Sequence, residues 1–205
     1  MHWELFLRGL LIGFAIAAPV GPIGMLVIRR TLAEGRLLGL LTGLGAAVAD
    51  SLYGCVGAFG LTFISGFLVG YAFWTKLVGG LFLLWLGSDT LRAKSREDGA
   101  GTSKVRYATA FLSTMVLTLA NPATILSFMA VFAGLGLGTK AGDYGAASFV
   151  VAGVFLGSAA WWLLLSGGVA LIRHKLKPRT LRWINYGSGA LLSSFGMYAL
   201  VSLVL

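Results

Sequence analysis

The sequence predicts an all-α membrane protein of six transmembrane helices, arranged as two inverted three-helix repeats with helices one and four broken at prolines. Three observations predict it. Of the 205 residues, 58% are hydrophobic and only 11% charged, at a mean hydropathy of +0.88; a soluble domain carries about a quarter charged residues. Apolar runs able to cross a bilayer recur at about 4–29, 37–61, 71–91, 107–133, 145–172 and 183–205. The first and fourth are interrupted, at Pro19-Val20-Gly21-Pro22 and at Asn121-Pro122.

The first run is uncharged from Gly9 to Ile28, yet it cannot be one regular helix. Pro19 leaves the carbonyl of Ala15 without its helical donor, and Pro22 does the same to Ala18. Backbone groups freed at membrane depth are tolerated only where protein or a watery cavity answers them. A broken helix therefore points to a transport site. The small residues Ala15, Ala17 and Ala18 mimic a signal-peptide cleavage site, but Glu4 is acidic and the apolar run continues to Ile28. The expectation is a retained, spanning segment.

The second run carries a glycine stripe, Gly39, Gly43 and Ala47, and one acid, Asp50, near its centre. The third closes on Gly-Leu-Phe-Leu-Leu-Trp-Leu-Gly at 80–87. A polar, glycine-rich stretch, 94–106, then reads as a cytoplasmic linker between repeats at 1–93 and 107–205 within one membrane domain. The second repeat follows the same order. Its opening span breaks at Asn121-Pro122, its next carries Gly153, Gly157 and Ala160, and its last has Gly-Ala-Leu-Leu-Ser-Ser-Phe-Gly at 189–196. Three spans per repeat make the second copy inverted relative to the first. The small-residue stripes let helices approach closely and leave homodimerisation open.

A net charge of +9 would suggest nucleic acid in a soluble protein, but the placement of the cations argues against it. Arg29, Arg30 and Arg36 follow span one. Arg92, Lys94, Arg96, Lys104 and Arg106 follow span three, and Arg173, Lys175, Lys177, Arg179 and Arg182 follow span five. Only Arg8, Lys76 and Lys140 fall on the other side. The positive-inside rule makes the three basic loops cytoplasmic and both termini external. Membrane lipid headgroups are the natural partners of such loops; nucleic acid is not needed.

Asp50 is the strongest chemical signal. A carboxylate at the bilayer centre costs roughly 3 kcal/mol on insertion scales and marks an ion or substrate pathway. Burial disfavours its charged form and nearby helix N-termini favour it, a balance suited to exchanging a proton. The alternative is a structural acid satisfied by a hydroxyl. The breaks are complementary. Gly21-Pro22 and Asn121-Pro122 both resemble helix starts, with proline at the first position and Asn a strong cap. Each would aim free N–H groups at a carboxylate. Thr118, Thr124 and Ser127 add hydroxyls, which can also serve their own helix carbonyls. Two anion-favouring helix ends and one acid match a zwitterion such as an amino acid. The expected site is therefore Pro19, Gly21, Pro22, Asn121, Pro122 and Thr124 for substrate, with Asp50 for the proton.

Other residues read as structure. Asp89 lies one turn before Arg92 and is expected to pair with it. Trp3, Trp74, Trp183 and Tyr144 sit at span ends as interfacial anchors, and Trp161-Trp162 as helix packing. Cys55 is a lone apolar-site cysteine, and His2 and His174 are terminal or in a basic loop. No metal site and no cofactor are expected.

These residues resemble the LysE/RhtB family of bacterial amino-acid exporters along essentially the whole chain. The resembling pieces are Ala18-Pro19-Val20-Gly21-Pro22-Ile23-Gly24, Gly43 to Asp50, Lys76-Leu77-Val78-Gly79-Gly80 leading to Leu86-Gly87, Ala120-Asn121-Pro122, and Gly153 through Gly157 to Trp161. Many family members have Pro-Gly-Pro at the first break; the Pro-Val-Gly-Pro here resembles the version in basic amino-acid exporters. The resemblance implies a six-span inner-membrane exporter driven by the proton gradient. Two other readings stand beside it. A cation exporter would want several oxygen, nitrogen or sulfur ligands. An intramembrane enzyme would want a second catalytic group beside Asp50, and no His, Lys or second acid is expected there.

Overall fold

The computed structural model describes residues 2–19, 21–59, 72–92, 104–121, 124–125, 127–128, 130–131, 143–173, 176 and 178–203. Among these, every regular element is helical: α1 (His2–Ala17), α2 (Pro22–Glu34), α3 (Arg36–Ala58), α4 (Ala72–Arg92), α5 (Lys104–Leu119), α6 (Tyr144–Arg173) and α7 (Pro178–Val201). Two of them, α3 and α6, are each long and apolar enough to cross a membrane. The bent pair α1–α2 makes a third crossing if counted as one span. The chain is an all-α, multi-pass membrane protein.

The first break does more than kink a helix: the axes on either side of it differ by 78°. α2 also runs past the expected end of its span, through Arg29 and Arg30 to Glu34. Gly35 stops it with a φ of 105° and donates its N–H to the Thr31 carbonyl at 3.0 Å, a left-handed turn that glycine takes without steric cost. α5 begins at Lys104, so the last residues of the expected linker are helical, while residues 94–103 lie outside those described. α7 starts at Pro178, ahead of the expected 183, because proline suits the first helical position.

Lipid is as apolar as leucine, so helices in it associate by close packing rather than by escape from water. Glycine supplies that closeness. α1 runs parallel to α6, with Gly9 and Gly13 against the Val150 and Val154 carbonyls, and Gly153 and Gly157 against Phe6 and Leu10. A β-carbon at any of the four would collide with backbone that cannot swing aside. α4 and α7 run antiparallel over a second seam, Gly80 beside Gly196 and Gly87 beside Gly189. α3 lies antiparallel to α6, with Trp162 seated on Gly43, and parallel to α5, with Gly45 on the Phe111 carbonyl. All seven helices feed one core, which includes Ala17, Leu26, Ala46, Leu83, Leu117, Trp162 and Leu192. The outer surface is correspondingly apolar: Leu11, Trp85, Leu164 and Leu171 are exposed.

One end of the bundle is tied by arginines. Arg30 turns inward instead of into a loop, and donates to Thr42 Oγ1 at 3.1 Å, the Ala110 carbonyl at 3.0 Å, Thr114 Oγ1 at 3.2 Å and Ser113 Oγ at 3.2 Å. It thereby joins α2 to α3 and α5. Arg106 pairs with Glu34, and Arg173 donates to the Leu32 and Ala33 carbonyls at the C-terminus of α2, where a cation is favoured. Asp89 lies 4.0 Å from Arg29 on α2, a correction to its expected pairing with Arg92. A flanking charge chooses the partner that packing brings near, and α2 comes closer than the next turn of its own helix.

The glycine seams yield a direct test. Gly13→Ala and Gly157→Ala should each cost about 1–3 kcal/mol, because the added methyl meets backbone. Gly168→Ala and Gly187→Ala meet nothing within 4 Å and should be neutral or slightly stabilising. Thermal unfolding in detergent checks this; equal effects at both pairs would contradict it.

Candidate functional site

At both breaks a backbone carbonyl accepts from the N–H four residues on, as at a helix start. At the first, Gly21 takes an extended conformation and its carbonyl accepts from Met25 N–H at 3.0 Å, with Pro22 at the opening of α2. At the second, α5 ends at Leu119 and the Asn121 carbonyl accepts from Ile125 N–H at 3.2 Å. Proline leaves no N–H to satisfy at such a start, so the break itself is locally stable. Pro122 lies outside the described residues.

The two breaks reach one cavity of about 500 Å³. Its walls include Pro19, Gly21, Pro22 and Gly24 from the first break, and Ala120, Asn121, Thr124 and Ser127 from the second. Asp50 enters from α3, Leu83 from α4, Leu117 and Thr118 from α5, Trp162 from α6, and Phe195 and Tyr198 from α7. Five of the six expected substrate residues and the expected proton residue thus share a wall; the sixth is Pro122. Aromatic and aliphatic side chains with a few convergent polar groups are the usual make-up of a small-molecule site.

Asp50 is almost wholly buried, at 3% exposure. Ser158 on α6 donates its hydroxyl to Asp50 Oδ2 at 2.7 Å, and Trp162 Nε1–H donates to Ser158 Oγ at 3.1 Å. Ser158 and Trp162 are one turn apart, so a single face of α6 supplies the whole relay. The relay fixes where the carboxyl sits. One turn beyond Asp50, Tyr53 donates its hydroxyl to the Leu119 carbonyl at 2.6 Å, holding α3 to the end of α5 beside the second break. The hydroxyl of Thr118 is spent within its own helix, donating to the Thr114 carbonyl at 2.9 Å. Trp162 combines packing on Gly43 with a place in the cavity wall, and Trp161 makes an edge contact with Phe14 at 5.4 Å.

The expectation that no lysine accompanies Asp50 is corrected: Lys76 lines the same cavity. It had the look of a flanking charge because it lies near the start of a span. Its signal was nevertheless present. Lys76 stands one turn inside α4, three residues before Gly79, and Gly79 and Gly80 pack on Ala120 and on Gly196 and Leu200. A cation inside a span, next to glycines that draw the helix against its neighbours, is a charge turned inward. Among the described residues no three His, Cys, Asp or Glu side chains gather as a metal site would require.

Residues 14–203 match the family described as LysE type translocator. The chain is similar to a lysine exporter, LysE, of Corynebacterium efficiens, at 27% identity over 95% of this chain and 97% of the relative. It is similar to a threonine efflux protein of Escherichia coli strain K12, at 25% identity over 97% and 98%. A threonine efflux protein of Salmonella typhi is 31% identical over 60% of this chain and 62% of its own length. No solved structure matches the chain.

The relay to Asp50 is testable by itself. Ser158→Ala leaves a buried carboxyl without its donor and should lower stability by about 1–3 kcal/mol. Ser148→Ala, exposed on the same helix and bonded only to the Tyr144 carbonyl, should be nearly neutral. Thermal unfolding of both variants in detergent reads the difference.

Proposed function

The chain belongs to the LysE type translocator family, and from that membership we propose that it exports an amino acid or close analogue across the bacterial inner membrane in exchange for protons. One observation carries the reading furthest: both proline breaks and the buried Asp50 line one cavity. The substrate sits among Pro19, Gly21, Pro22, Asn121, Pro122 and Thr124, and Asp50 alternately takes the proton and the substrate ammonium. Competition for one carboxylate couples the two fluxes without a second acid. Relatives named as exporter and efflux proteins support transport over catalysis.

The architecture proposed with it has six crossings, as inverted repeats at 1–93 and 107–205 joined by the 94–106 linker. The neighbour pairs support it. α1 lies parallel on α6 and α5 parallel on α3, while α3–α6 and α4–α7 are antiparallel. Exchanging the first span with the fourth, the second with the fifth and the third with the sixth leaves that set unchanged. The arginine-tied end faces the cytoplasm, the cavity lies at the membrane midplane, and both termini are periplasmic. Each chain holds a complete site, so a homodimer would join two working units. A cation exporter is the second reading, favoured only by Asp50 and the nearby oxygen donors.

Efflux of labelled amino acids and divalent cations from loaded vesicles, with and without a proton gradient, tests the reading. Gradient-dependent amino-acid efflux is expected; cation efflux alone would overturn it. Asp50→Asn keeps size and removes the titratable charge, so gradient-driven efflux should fall to background while folding persists. Near-normal efflux with unchanged pH dependence would leave Asp50 a structural acid. Reporter fusions at Leu205 and Gly99 should report periplasm and cytoplasm respectively.

A further inference from the structure

Among the described residues lining the cavity, Asp50 is the one carboxylic acid and Lys76 the one amine. They enter from different helices: Asp50 from α3, held by Ser158, and Lys76 from the second turn of α4. α4 is pressed against the second break at Gly79–Ala120 and against α7 at Gly80–Gly196, which keeps Lys76 at the cavity. Much of the remaining wall is apolar: Ile16, Leu83, Leu117 and Phe195.

We propose that Lys76 binds the substrate carboxylate and determines specificity, so that the cavity takes neutral α-amino acids with small or apolar side chains. The proposal rests on the reading of this cavity as the transport site. A zwitterion placed between Asp50 and Lys76 meets an acid with its ammonium and a cation with its carboxylate, and the four charges sum to zero. A dibasic amino acid brings one more positive charge, for which the described lining holds no further acid. An amine lacking the carboxylate leaves Lys76 without a counter-charge. Both misfits leave a charge unpaired in a partly dehydrated site, where that is costly. Pro-Val-Gly-Pro resembles the break of basic amino-acid exporters, but a single acid in the described lining leaves a long cationic side chain without a partner.

The test uses full-length protein in liposomes, with L-leucine, L-threonine and L-lysine as cargo. Isopentylamine, which is leucine without its carboxylate, serves as competitor. Wild type should move leucine or threonine in preference to lysine and discriminate strongly against isopentylamine. Lys76→Met should weaken apparent affinity for the neutral amino acid by about tenfold or more, the worth of one charge-assisted bond. Its affinity for isopentylamine should hold or improve, so the ratio between the two collapses. Lys76→Gln is read alongside, so that a poorly folded Met variant does not decide the matter. Lys76→Arg should recover part of the ratio. An unchanged ratio in the Met or Gln variant, or lysine as the preferred cargo of wild type, overturns the proposal. No amino-acid flux in wild type removes the exporter reading itself, and this proposal with it.

Discussion

Every backbone N–H and C=O at membrane depth needs a partner, and this chain twice removes partners deliberately. Pro19 and Pro22 interrupt the first apolar run and Asn121-Pro122 the fourth. Neither interruption can face lipid, so the bundle must be built around both. That requirement explains why the cavity lies where it does and why all seven helices contribute to a single core beside it. It also explains the economy of the polar side chains within. Tyr53 holds α3 to the residue just before the second break, and one face of α6 holds the acid that confronts both breaks.

The charges divide the molecule into two ends with different physical characters. At one, Arg30, Arg106 and Arg173 bind the C-terminal half of α2 to three other helices through multiple oxygen acceptors. At the other, a single lysine and a single carboxyl face a mostly apolar chamber. Because α2 begins at the first break and ends among the arginines, it links the two ends mechanically. Any rearrangement of the cavity wall around Gly21 must be transmitted to, or absorbed before, those arginine contacts. The 78° bend between α1 and α2 lies where Pro19 and Pro22 supply no N–H to a helical bond.

Much of this was legible in the sequence, for identifiable reasons. Hydropathy marks spans because lipid punishes polarity, proline marks breaks because it lacks an N–H, and a buried acid such as Asp50 stands out against a dozen apolar neighbours. What was not legible depends on partners distant in the chain. Ser158 is an unremarkable serine until α6 is laid on α3 and its hydroxyl meets Asp50. Arg30 counted as one flanking cation among many, although its acceptors lie on α3 and α5. Lys76 was misplaced for a related reason: position near a span end says nothing about which way a side chain turns. Helix ends slipped by a few residues where Gly35 and Pro178 acted as punctuation.

The glycine seams have a consequence for how such a protein changes over generations. At Gly9, Gly13, Gly153 and Gly157 the next atom is another helix's backbone, so even the smallest mutational step is obstructed. Much of the cavity wall is side chain and open volume, with Gly21 in open space, although Gly79 and Gly80 there also meet neighbouring backbone. The seams therefore resist substitution more than the side chains of the lining do. A scaffold built this way confines tolerated change to side chains that face the cavity and leaves the spacing of its helices alone.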